Sequence, residues 1–186
     1  MKVIEQEIHS LKNSISEMWA LVHQQLYNAG EAMLTGDKEL AYKVISRERR
    51  VNAFELKIDS DCEDIIALYA PVAIDLRFVL AMYKINTNLE RLGDFAESIA
   101  RFAGNLPEGE PIDPQLVKET RVEEMLSELL SMISLTKEAF EKESSEIASR
   151  IFLKDNLIDE INHNSTAIIA KYIEEHKGSA LAGLYM

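Results

Sequence analysis

The sequence is short of the residues on which many familiar chemistries depend. Cys62 is the only cysteine among 186 residues, so neither an intrachain disulfide nor a cysteine-based zinc site can form. Its place on an apolar helical stripe reads it as a small buried hydrophobe. Four prolines and seven glycines leave long stretches unpunctuated, which suits long helices better than many short strands. Basic residues are scarce, 20 against 32 acids, for a net charge of −12. Nucleic-acid binding calls for a basic footprint, so no nucleic-acid partner is expected. Long hydrophobic runs are also missing. The longest uncharged apolar run, Ile65 to Ile74, is interrupted by Pro71 and falls far short of the ~20 residues of a membrane span. The first residues, Met1 to Glu7, lack the apolar core of a signal peptide. The expectation is a cytoplasmic protein with no direct membrane insertion. No phosphate-cradling glycine loop, His-Glu-x-x-His motif or nucleophile elbow occurs, so no catalytic residue is expected.

What is present is helical. Apolar residues make up 47% of the chain and charged residues 28%, a balance that supports a sizeable core and not a disordered chain. Ile4, Ile8, Leu11, Ile15, Met18, Val22, Leu26, Ala29 and Met33 recur at gaps of three and four, which predicts a helix from about Val3 to Leu34. Gly36 reads as its C-terminal cap and Asp37 as the next N-cap. A second helix is predicted from Asp37 to Tyr69, through Leu40, Val44, Val51, Phe54, Ile58, Cys62 and Ile65. Pro71 ends it and suits the first turn of a third helix, which runs to about Ala103. Gly104 to Pro114 gathers three prolines and two glycines and reads as a linker. Asp113-Pro114 then starts a fourth helix, predicted to run to about Glu143. Ser144-Ser145 separates it from a fifth, about Ser145 to His176, which Lys177-Gly178 ends, and Ser179 to Met186 begins a sixth segment.

This order looks like a repeat of about 107 residues, with Glu48 to Asn52 set over Asp155 to Asp159. The expectation is an all-α protein of two tandem three-helix bundles: residues 1–104, a linker at 105–114, and residues 115–186. The last helix of the second bundle would be cut short.

Two acidic columns stand out. The second helix carries Glu55 and Asp59, four apart, in line with Glu48 and Asn52. The third carries Glu90 and Asp94, four apart, in line with Asn86 and Glu97. Residues four apart share one helix face. A tight break joins these helices, so they must run antiparallel and side by side. Four converging carboxylates repel one another unless a cation or protons neutralise them. All-oxygen ligands suit hard cations such as magnesium, manganese, calcium or iron. The bland alternative is a pair of solvated helix faces, and spacing alone does not separate the two. Gly93, beside Asp94, leaves room for a close approach. Glu160-Ile161-Asn162-His163 matches the Glu-x-x-His of di-iron bundles. No second copy exists, so His163 reads as a surface histidine. Asp75 and Arg77, just after Pro71, could form a local ion pair or receive an oxyanion, and the local pair is the favoured reading.

The run Ala70-Pro71-Val72-Ala73-Ile74-Asp75-Leu76-Arg77, followed by Asn88-Leu89-Glu90-Arg91-Leu92-Gly93-Asp94-Phe95-Ala96-Glu97-Ser98-Ile99-Ala100, resembles the PhoU family of phosphate-signalling proteins. The resemblance implies two similar three-helix bundles with acidic motifs able to hold divalent or trivalent metal ions, including a multinuclear iron cluster. It implies that Glu55, Asp59, Glu90 and Asp94 are metal ligands in the first half, with Asp155 and Asp159 matching the acidic motif in the second. The second Leu-Glu-Arg-x-Gly-Asp motif is absent from the sequence. The resemblance further implies a homodimeric regulator, not an enzyme. It would couple the ATPase of a phosphate ABC transporter to a sensor histidine kinase and hold phosphate-starvation genes off. Two readings compete with it: a metal-dependent enzyme at the carboxylates, and a purely structural helical interaction module.

Overall fold

In the computed structural model, residues 3–106 and 112–175 are described. The order of elements is α1 (Val3–Thr35), α2 (Lys38–Tyr69), α3 (Ala73–Asn105), α4 (Pro114–Thr120), α5 (Val122–Glu141) and α6 (Ser145–Glu175). There is no strand among the described residues, and the fold is all-α as the apolar spacing predicts.

The first three helices pack on one another as a bundle. Apart from Phe102, the buried positions of α3 are Val79, Met82, Asn86, Leu89, Gly93, Ala96, Ala100 and Ala103. They alternate by three and four, which keeps one narrow seam turned toward the partner helices. On α2 the seam is Val44, Glu48, Val51, Ile58, Cys62 and Ile65, and Glu55 falls on the same register, half-buried. On α1 it is Leu11, Ile15, Met18, Val22, Leu26, Ala29 and Met33. The small residues at the end of α3 let it lie close to its neighbours. Gly93 is the tightest point, because a Cβ there would stand 2.8 Å from Cγ1 of Val51. Cys62 is buried as expected, with Sγ 3.9 Å from the carbonyl of Val79, and burial pushes its thiol up to about 12.

The turns follow the sequence in part. Gly36 takes a φ of 70°, and the Asp37 carboxylate caps α2 by accepting from the Leu40 amide at 2.9 Å. Pro71, by contrast, is not in the first turn of α3. The helix starts at Ala73, after Val72, and the reversal is made by left-handed backbone at Ala70 (φ 44°) and Ala73 (φ 49°). Leu68, Val72 and Ile74 stand largely exposed around this turn.

The fourth predicted helix is two helices. Asp113 caps α4 as expected, accepting from the Gln115 amide at 2.8 Å. At Arg121 the chain turns left-handed (φ 56°) and α5 begins. Thr120 donates its hydroxyl back to the Leu116 carbonyl at 2.7 Å, a bond that bends helices. Arg121 is then held in place by Glu124 at 2.7 Å and by Glu160 of α6 at 2.9 Å. Ser144 caps α6 through the Ile147 amide. The predicted end of this helix, from His176, and the segment Ser179 to Met186 lie outside the described residues.

The two halves meet where α5 packs on α1. Trp19 and Phe140 stack with centroids 5.8 Å apart, Leu126 packs against Gly30, and Lys12 pairs with Glu143 at 3.1 Å. The α5–α6 pair buries less of its apolar face than the first bundle does. Among its described residues only Ala139 and Ile161 are fully enclosed.

Candidate metal centre

The acidic columns come together along the junction of α2 and α3. Because the helices are antiparallel, Glu48 on α2 meets the later part of α3, and Glu55 and Asp59 meet the earlier part. The electrostatics follow this order. The carboxyl of Glu48 is raised above its ordinary value by burial first, then by Glu97 and Asp94. That of Glu90 is raised by burial first, then by Asp94, Glu55 and Glu48. A hydrogen bond from Asn52 and the charge of Arg101 relieve Glu48 in part, and Arg91 relieves Glu90. Arg101 also holds Glu97 at 2.6 Å, an i,i+4 pair that the spacing alone could have revealed.

Of the predicted ligands, Glu55, Asp59 and Glu90 are half-buried, and Asp94 is exposed. Glu55, Glu90 and Asp94 therefore share one electrostatic neighbourhood, with Glu48 at its buried end. Asp59 is joined to it through Asn86, whose Nδ2 donates to Asp59 Oδ1 at 2.7 Å and to the Glu55 carbonyl at 2.9 Å. Asp155 and Asp159 stand exposed on α6. Among the described residues, no three histidine, cysteine, aspartate or glutamate side chains close on one point tightly enough to hold a metal ion together. The acids of α2 and α3 form an open strip along two helices, not a cage. Gly93 serves this strip by seating Val51, which brings the two acid-bearing helices close.

Two other expectations resolve differently. Asp75 and Arg77 form no ion pair with each other. Arg77 instead lines a cleft of about 710 Å³ with His9, Lys12, Phe78 and Phe140. Glu160 is engaged by Arg121, and His163 is exposed, as expected for a surface histidine.

The strip has the donor type of a hard-cation site, but its acids do not gather around one point. Every candidate ligand offers oxygen, and the like charges that raise Glu48 and Glu90 are what a bound cation would neutralise. The Oδ1 of Asn86 is buried and has no hydrogen-bond donor among the described residues.

Known proteins share the sequence and the fold of this chain. A family model described as the PhoU domain matches residues 15–103, which hold both acidic columns. The chain is 33% identical over 171 residues to a phosphate-specific transport system accessory protein PhoU homolog of Aquifex aeolicus, covering 91% of this chain and 75% of that one. It is 31% identical over 183 residues to a PhoU homolog of Thermotoga maritima, covering 98% and 78%. Among solved structures, PhoU from Pseudomonas aeruginosa superposes with a TM-score of 0.90 at 27% identity, covering 97% of this chain and 85% of that one. The phosphate transport system regulatory protein PhoU from Streptococcus pneumoniae gives 0.85 at 27% identity, covering 98% and 84%. The chain belongs to the PhoU family, the accessory and regulatory proteins of phosphate-specific transport.

Proposed function

We propose that this protein is a cytoplasmic negative regulator that connects a phosphate-specific ABC transporter to a sensor histidine kinase. In sufficient phosphate it engages the transporter ATPase and holds the kinase in the state that keeps starvation genes off. The observation that carries this reading is the fold shared with regulatory relatives over nearly the whole chain. Two structural features support it. No described helix is long and apolar enough to cross a membrane, so contact with a membrane-bound kinase or transporter would run through protein surfaces. The exposed aliphatic residues Leu68, Val72 and Ile74 at the α2–α3 turn offer such a surface.

The acidic strip adds a metal-binding role to this reading. Glu55, Asp59, Glu90 and Asp94 would hold hard cations, iron among them, with Asp155 and Asp159 as the matching acids of the second half. A bound cation would supply positive charge between helices that otherwise repel, and so tighten α2 against α3. A homodimer is part of the same proposal. Deleting the gene tests the regulatory role. Phosphate-uptake genes should be expressed in phosphate-rich medium, and unchanged repression would overturn the reading.

A further inference from the structure

With no ion pair to Asp75, the other reading of Arg77 stays open: it receives an oxyanion. Among the described residues its guanidinium makes no ion pair and no side-chain hydrogen bond. It stands at the rim of the cleft of about 710 Å³ where α1, α3 and the end of α5 meet. From α1 come His9 and Lys12, three residues apart and so on one helix face. From α3 come Arg77 and Phe78, and from α5 comes Phe140. The floor between them is apolar, with Met82 buried and Phe78, Ile85 and Phe140 half-buried. A cleft of this size, apolar inside with a few polar groups at its edge, is the usual form of a small-molecule site.

The charges around the cleft decide what it can hold. Three acids line it, Glu5, Asp75 and Glu143. Glu143 is paired with Lys12 at 3.1 Å, and the Lys12 ammonium stands 5.5 Å from the centroid of the Phe140 ring. Glu5 and Asp75 lie in the first turns of α1 and α3, where a helix N-terminus favours negative charge. What remains is the Arg77 guanidinium without a counter-ion, and the ring of His9, which has no hydrogen-bond partner among the described residues. A single spare cation suits a single negative charge. The paired N–H groups of a guanidinium match the two oxygens of a carboxylate. Bare inorganic phosphate fits less well, because it would leave the apolar floor uncovered and bring a double charge up to three acids.

We propose that this cleft binds a small organic monoanion, a carboxylate carried on a ring. Arg77 takes the carboxylate through its paired N–H groups, His9 supplies a further donor, and the ring lies against Phe78, Ile85 and Phe140. Arg77 belongs to α3 and Phe140 to α5, so such a ligand touches both halves of the molecule. The site is separate from the acidic strip between α2 and α3, and it stands or falls independently of the regulatory reading.

The experiment is a calorimetric titration of β-naphthoate into the full chain. Acetate and β-naphthylmethanol are titrated beside it, as the charged and the apolar halves of the probe. The wild type should bind β-naphthoate at least about tenfold more tightly than either half. Arg77→Met keeps an apolar stem and removes the charge at an exposed position, so the fold should survive while binding weakens by about tenfold. Arg77→Lys should recover only part of the loss, because an ammonium cannot match both carboxylate oxygens at once. Arg47→Met removes the same charge from an exposed position of α2 outside the cleft, and should bind as the wild type does. Failure of the wild type to bind β-naphthoate would overturn the proposal, as would wild-type affinity in Arg77→Met. An equal loss in Arg47→Met would overturn it too, by tracing the attraction to overall charge. Binding of β-naphthylmethanol as tight as that of β-naphthoate would reduce the cleft to an apolar groove and end the proposal.

Discussion

Val51 of α2 occupies the space in which a side chain at position 93 of α3 would stand, with Cγ1 2.8 Å from where that Cβ would lie. Val51 is itself 1% exposed and β-branched, so it has little freedom to swing aside. Gly93→Ala gains helix propensity of about 1 kcal/mol, but overpacking a filled core costs typically about 1–3 kcal/mol. The expected net effect is a loss of about 1 kcal/mol, read as a lower urea midpoint. Adding Val51→Ala should offset the Gly93→Ala penalty, giving a non-additive double-mutant cycle. Additive losses would show that the two residues do not press on each other.

Glu48 sets a pH dependence of stability. Its carboxyl is raised above 4.5 by burial, with Glu97 and Asp94 adding to it. A carboxyl raised in the folded state binds its proton more tightly there than in the unfolded chain. Its charge therefore lowers stability in full above the folded pKa, and the penalty is relieved as pH falls through that value toward 4.5. Glu48→Gln, in metal-free protein, is expected to be more stable than the wild type at neutral pH. A glutamine can keep a hydrogen bond to Asn52 while removing the charge. The advantage should shrink as the buffer is acidified toward 4.5. Urea unfolding of both proteins across that range checks it, and an advantage independent of pH would contradict this account.

The turn after α2 stores backbone strain at Ala70, which closes the helix in left-handed backbone (φ 44°, ψ 57°) while its amide reaches the Ile66 carbonyl at 3.3 Å. An L side chain in that region costs roughly 1–2 kcal/mol, and glycine is the usual residue there. Glycine also has more freedom to lose on folding, by about 0.5–1 kcal/mol. Ala70→Gly should therefore raise stability by about 0.5–1 kcal/mol. Thermal unfolding is the measurement, and a lower Tm would mean that the turn is held by contacts and not merely tolerated.

The same turn shows what could be read in the sequence and what could not. The long helices were legible because residues such as Leu11, Ile15, Met18 and Val22 repeat at helical gaps that only a buried stripe explains, although on α3 the stripe read through Leu76, Val79, Tyr83, Leu89 and Ile99 took in Tyr83, which is exposed, where Met82 is the buried residue. Gly36, Asp37 and Asp113-Pro114 signal their ends through local backbone chemistry. Ala70 and Arg121 carry no such signal. Each takes a left-handed φ that its own side chain disfavours, and Arg121 is held there by Glu160, 39 residues away in the chain. The acidic columns were legible as periodicity, but their grouping depends on antiparallel register. The bond from Asn86 to Asp59, 27 residues apart, exists only once α2 and α3 are packed. Asp75 and Arg77 failed in the opposite way: residues two apart on a helix do not face each other, and no ion pair forms between them.

The proposed binding of a cation to the strip would carry its own thermodynamic signature. A ligand that binds only the folded state stabilises it by RT ln(1 + [L]/Kd), about 2.7 kcal/mol when the free ion exceeds Kd by about a hundredfold. For a chain of this size each kcal/mol moves Tm by about 2–4 °C, so saturating Mn²⁺ should raise the Tm of metal-free protein by about 5–10 °C. Two acids placed on facing helices must both contribute if the ion bridges them. Glu55→Gln on α2 and Asp94→Asn on α3 should therefore each remove most of the rise, although neither residue touches the other in sequence. Asp155→Asn on α6 should leave the first-half contribution intact, because that residue lies on a different helix pair. Simple screening of surface charge would act differently. It would follow ionic strength, would be matched by sodium at equal ionic strength, and would fall only slightly with the loss of any single acid. A Tm rise that sodium reproduces would therefore reduce the strip to a solvated acidic face. A rise specific to multivalent ions, and lost with either Glu55 or Asp94, would tie α2 and α3 to one shared cation.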